Sequence, residues 1–201
     1  MNLIKSSIKS FWPIAVCFAV VTAAAPAHAA RGGEIRVQGP NSTYKIAPID
    51  DKAAWRLKGP GMNGFTLEAR PNGSWVVLDP ASMIRQRTET TDGRNMKVLD
   101  PEGNLRHTVE FTTKGFKVIY PDGRILCRIE IVDDKNFNIY NAKKVLIMTG
   151  RSKGKTITVK DVATKQRLFK IKGKISIEDA AFFSVPLQFT ETVVIWKTAT
   201  R

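Results

Sequence analysis

The stretch VLIMTGRSKGKTITV, residues 145–159, brings together the residue types that could hold a phosphate. An apolar run leads into Gly150, Arg151, Ser152, Lys153, Gly154, Lys155 and Thr156, like a strand feeding a phosphate-binding loop. A loop of the GxxxxGK[ST] type needs four residues between its glycines. A helix must follow, so that its first N–H groups face the phosphates. Here three residues separate Gly150 from Gly154, and Ile157-Thr158-Val159 continues as an alternating, β-branched strand. The segment reads as a basic turn between two strands, and no nucleotide is expected.

The remaining chemistry-bearing residues are few. Beyond residue 29 there is one histidine, His107, and one cysteine, Cys127. A lone histidine with neither a cysteine nor a carboxylate cluster beside it does not make a typical zinc site. No nucleophile-elbow pattern accompanies His107 either. By alternation it shares a face with Leu105 and Val109, which suits a wall position better than a general base. In ILCRIEI, Cys127 alternates with Ile125, Ile129 and Ile131, so it reads as a small buried hydrophobe. Asp133-Asp134 precedes Lys135-Asn136 and reads as turn chemistry, as do Asp100, Asp122 and Asp161. No catalytic residue, cofactor or metal ligand is expected. A hydrolase working through carboxylates alone is the less favoured alternative; it would need two acids about 5–10 Å apart.

The amino terminus reads as an export signal. Lys5 and Lys9 precede an apolar core at residues 11–25, and Ala27-His28-Ala29 offers a small-x-small cleavage pattern. The apolar run is shorter than the roughly 20 residues of a membrane-spanning helix. Val16 before Cys17 argues against lipid attachment. The expectation is a signal peptide at 1–29, one domain at 30–201, no transmembrane segment after cleavage, and a periplasmic or extracellular location.

These elements have a beat. IRVQGP, WRLKGP, WVVLDP, MKVLDPEG, FKVIYPDG, FNIYNAKK and ITVKDVAT start at residues 35, 55, 75, 96, 116, 137 and 157, a spacing that alternates between 20 and 21. Each unit is an alternating run, a turn such as Asp100-Pro101-Glu102-Gly103, and a second alternating run, which is the grammar of a β-hairpin. Residues 35–174 are expected to form an antiparallel meander of 12 to 14 strands, closed into a barrel. In the tail at 175–201, Ser176 with Asp179 resembles a capping box ahead of Ala180, Ala181, Phe182, Phe183 and Val185. A helix apolar on every side must be enclosed. Pro186 is expected to interrupt it, and Thr190 to cap a second segment with Val193, Val194, Ile195 and Trp196. A last edge strand at 192–195 is the alternative.

A β-meander closed on an apolar carboxy-terminal helix resembles the tubby-like barrel of the tubby, phospholipid scramblase and LURP-one-related families. The nearest wording is FKVIYPDGRILCRI, similar to the V-x-D-x-x-G-x-x-L/I-x-x-I hairpins of LURP-one-related proteins, with the tail IEDAAFFSVPLQFTETVVIW. The resemblance implies twelve strands around a central helix, where this chain has seven hairpins. No binding motif of the tubby proteins has a counterpart here. Tyr120-Pro121-Asp122-Gly123-Arg124 also resembles the YDxxGR wording of YD-repeat shells, in one unit only.

Charge points to the partner. The chain carries a formal +14, or +12 without Lys5 and Lys9. From residue 143 to 174 eleven basic residues stand against one acid, Asp161. Lys143, Lys144, Arg151, Lys153 and Lys155 are the candidate contacts for an anionic partner: a lipid headgroup, lipopolysaccharide or a wall polymer. Nucleic acid is not expected, because a single aromatic residue, Phe169, interleaves with the basic run. A purely structural or assembly role is the competing reading, in which the lysines only discourage edge-to-edge association.

Overall fold

A computed structural model describes residues 33–49, 53–70, 74–90 and 95–189. The signal expected at 1–29 lies outside them, as does the second segment expected after Thr190. Fourteen strands form one closed antiparallel barrel. In chain order they are β1 Ile35–Gln38, β2 Thr43–Pro48, β3 Ala54–Lys58, β4 Thr66–Ala69, β5 Trp75–Leu78, β6 Ile84–Thr90 and β7 Asn95–Leu99. There follow β8 Leu105–Thr112, β9 Gly115–Ile119, β10 Ile125–Ile131, β11 Asn136–Asn141, β12 Leu146–Lys153, β13 Thr156–Asp161 and β14 Arg167–Lys172. Each strand pairs with its neighbour in sequence, and β1 pairs with β14 to close the ring. The helix α1, Ile177–Phe189, follows.

Alternation puts one side chain in two into the core. Val37, Leu57, Leu67, Val98, Val109, Val118, Ile139, Val159 and Ile171 are all 2 % exposed or less. The same hairpin repeats its devices. In five successive units one residue is bulged out of register just after the turn: Arg85, Arg106, Leu126, Ile147 and Leu168. Bulges sharpen strand twist, and a closing sheet needs that curvature. The turns before them use a left-handed residue at matching places: Ser82, Gly103, Gly123, Lys144 and Lys165. An Asp or Asn side chain braces four of these turns from the first residue, Asp79, Asp100, Asn141 and Asp161, while the turn that starts at Tyr120 is braced by Asp122. Asp79 Oδ1 accepts from the Ala81 and Met83 N–H groups, both at 2.9 Å. Asn141 Oδ1 accepts from Lys143 and Val145 in the same way.

The helix starts where the capping pattern puts it. The Asp179 N–H donates to Ser176 Oγ at 3.0 Å, and Ser176 Oγ donates to the Asp179 carboxylate at 2.6 Å. Ile177, Ala180, Ala181, Phe182, Phe183 and Val185 are buried, so the helix is enclosed against β10 to β13. Phe182 stacks on Phe116 with ring centres 3.7 Å apart. The expected interruption at Pro186 is corrected: α1 runs through it to Phe189. A proline inside a helix costs about 3 kcal/mol through a lost hydrogen bond and a clash. Full burial of one Ile, Val or Phe side chain returns roughly 1.5–3 kcal/mol. Several such side chains on the preceding turns outweigh the penalty.

Candidate anion-binding wall

The histidine and cysteine face inward, and the turn aspartates brace turns. Cys127 is fully buried, and burial pushes its thiol up to about 12. His107 is buried beside the Tyr120 ring, 5.2 Å between centres. Val109 shares its face, but Leu105 lies across the bulge at Arg106 and is half-buried, so simple alternation does not extend to it. Asp133 accepts from the Lys135 N–H and from Asn136 Nδ2, which makes it a turn brace as its setting suggested. Among the described residues no group of three or more His, Cys, Asp or Glu side chains could hold a metal ion. No described helix is long and apolar enough to cross a membrane.

Gly150 and Gly154 have structural assignments. Gly150 pairs with Phe137 across β11 and β12, and a Cβ at Gly150 would run into the Phe137 ring. Gly154 has φ +60° in the two-residue turn between β12 and β13.

The five candidate cations do not form one cluster. Lys143 and Lys144 sit in the β11–β12 turn at one end of the barrel; Lys153 and Lys155 sit at the opposite end, around the β12–β13 turn. The eight residues of β12 separate the two groups, about 25 Å at strand rise. Arg151 is exposed on β12 toward the second group. Lys144 instead borders a groove of about 290 Å³ over β9 to β11, with Lys114, Lys117, Arg128, Glu130 and Tyr140. That groove is partly self-satisfied. Tyr140 Oη donates to Glu130 at 2.8 Å, a bond that raises the tyrosine pKa, and Lys117 pairs with Glu110 at 2.8 Å. Arg128 donates to the Ala142 carbonyl at 2.9 Å.

Closure of the barrel creates a larger feature. The pairing of β1 with β14 sets β12, β13 and β14 beside β1, β2 and β3. Those six strands hold ten basic residues and one acid, Asp161. Asp161 is held in its own turn by Thr164. The other eight strands hold six basic residues and four acids. One side of the barrel is therefore strongly cationic and the other nearly balanced. Arg36, Lys45, Arg56 and Lys58, which the basic run at 143–174 did not include, belong to the cationic side. Their strand positions were legible, but only the β1–β14 pairing joins them to that run.

Fold and wall together define a helix-filled antiparallel barrel with a one-sided cationic exterior. No protein-family model and no curated protein matches the chain. Among solved structures, an Arabidopsis thaliana protein determined by X-ray is similar over 79 % of this chain and 89 % of its own, at 12 % identity and a TM-score of 0.38. A Vibrio parahaemolyticus domain named for outer membrane lipoprotein sorting is similar over 71 % of this chain and 81 % of its own, at 9 % identity and a TM-score of 0.31. Likenesses this distant say nothing of what the chain binds.

Proposed function

We propose that the protein is an exported, non-enzymatic binding module of tubby-like architecture that holds an anionic component of the cell envelope against its cationic wall. The observation that carries the reading is the charge segregation, ten basic residues to one acid on six adjacent strands. The placement of other groups supports it. His107 and Cys127 are buried in the barrel, and Asp79, Asp100, Asp122, Asp133 and Asp161 are committed to turns. Exposed lysines contribute roughly 1 kcal/mol each near an anionic surface and are screened by salt. Arg151 adds a planar guanidinium able to hold a phosphate through two hydrogen bonds.

Co-sedimentation with phosphatidylglycerol vesicles, lipopolysaccharide and long-chain polyphosphate, at low and high salt, tests the reading. At least one probe should retain the protein at low salt and release it at high salt. Arg151, Lys153 and Lys155 changed together to glutamate should weaken that retention. Retention by none of the probes, or retention indifferent to salt, would overturn the binding role and leave a structural one.

A further inference from the structure

Within the cationic wall the cations are in register. Lys172 on β14 lies opposite Arg36 on β1, Arg36 opposite Lys45 on β2, and Lys45 opposite Lys58 on β3. On the other side Lys172 lies opposite Thr156 on β13, which lies opposite Lys153 on β12. A single cross-strand row thus runs Lys153, Thr156, Lys172, Arg36, Lys45, Lys58. Successive positions are about 4.8 Å apart, the spacing of neighbouring strands. Like charges placed directly opposite one another disfavour the sheet, so the row persists against its own repulsion. Glu34 relieves part of it: its carboxylate accepts from Arg36 at 2.7 Å and is also stabilised by the charges of Lys45 and Lys58. Among the described residues no ion pair engages Lys45, Lys58, Lys153 or Lys172.

We infer that this row is a track for a flexible linear polyanion, which deepens the binding role proposed above and rests on it. Curvature selects the occupant. The row spans five of the fourteen inter-strand steps, about a third of the way round the barrel. Such a barrel has a radius on the order of 12 Å, so the ends of the row fall about 5 Å away from a flat membrane touching its middle, and the end lysines meet that membrane only when fully extended along its normal. A flexible chain can follow the curve and meet every cation. A nucleobase-bearing chain would lack stacking platforms, because Tyr44, Trp55 and Phe169 of these strands sit at inward register positions opposite Val37, Leu67 and Val159.

The test compares long-chain polyphosphate, tripolyphosphate and phosphatidylglycerol vesicles as probes. It uses the parent protein, the track variant Lys45→Glu/Lys58→Glu/Lys172→Glu, and an equal charge change elsewhere, Lys97→Glu/Lys114→Glu/Arg128→Glu. Thermal unfolding is followed on each protein, and the track variant should be no less stable than the parent: Arg36 then faces opposite charge on both sides, and only the 45–58 pair stays like-charged. Long-chain polyphosphate should bind the parent more tightly than either other probe does. The track variant should lose at least about tenfold in that affinity, and its slope of log K against log salt should flatten by about 2 for three lost contacts. The other variant should stay within about threefold of the parent. Equal losses in the two variants, tripolyphosphate as tight as the long chain, or vesicles bound more tightly than polyphosphate would each overturn the track. In the last case the broader binding role stands; if no probe binds at all, both fall.

Discussion

At Gly150 the ring of Phe137 fills the space a side chain would need. Gly150→Ala should therefore overpack the wall and cost roughly 1–3 kcal/mol, read as a lower urea midpoint at unchanged slope. An unchanged midpoint would mean that the ring has room to move. Cys127 offers a second check. With its thiol raised to about 12 by burial, it should ignore a thiol reagent in the folded protein and react only in denaturant. Prompt reaction under native conditions would place it outside the core. The turn aspartates set the acid limit. Asp79 is lowered chiefly by the Met83 N–H, and Asp122 by the Arg124 N–H. At Asp100 burial works upward, but hydrogen bonds from Asn104 outweigh it. Folded pKa values below the unfolded ones mean that this stability is complete above the usual carboxylate range. It is lost as pH falls through the lowered values. The melting temperature should accordingly hold down to that range and then drop, with Asp79→Asn less acid-sensitive than the parent. A parent curve that already falls between neutral pH and that range would contradict this. The aspartate roles were legible from turn position. The packing role of Gly150 was not, because it depends on a partner thirteen residues away across a register that sequence does not show.

Element by element, strand starts expected at 35, 55, 75, 96, 116, 137 and 157 are met by strands starting at 35, 54, 75, 95, 115, 136 and 156. Alternation and turn residues are local signals, so hairpins can be read from them. The bulges could not, since an extra residue shows only against its partner strand. The helix start was equally local, whereas its passage through Pro186 depends on the barrel around it. Phe182 stacked on Phe116 is the anchor of that packing, and Phe182→Ala should cost about 3–5 kcal/mol. Near-parent stability would show that the helix is not a structural filling. On the opposite side, Lys58→Glu replaces a like-charged partner of Lys45 by an opposite one. It should raise stability by a few tenths of a kcal/mol to about 1 kcal/mol, and a destabilised variant would argue that the lysines do not repel.

Across the whole molecule, closure is what turns two basic segments far apart in sequence into one surface. A count along the chain found the residues at 143–174 and missed Arg36, Lys45, Arg56 and Lys58, because nothing local in β1 announces β14 as its neighbour. The five cations first singled out are consequently divided: Arg151 and Lys153 stand on the wall and Lys155 at its rim, while Lys143 and Lys144 lie in a turn at the other end. Removal of residues 175–201 should leave the barrel without its apolar filling and the chain insoluble. A soluble, cooperatively unfolding product would show that the strands fill their own interior. The claim that the wall binds by charge is tested most directly by a salt titration of the intact protein with its best-retained anionic probe. Four to five wall contacts predict that log K falls linearly with log salt, with a slope of about −3. An affinity that does not change with salt would contradict it.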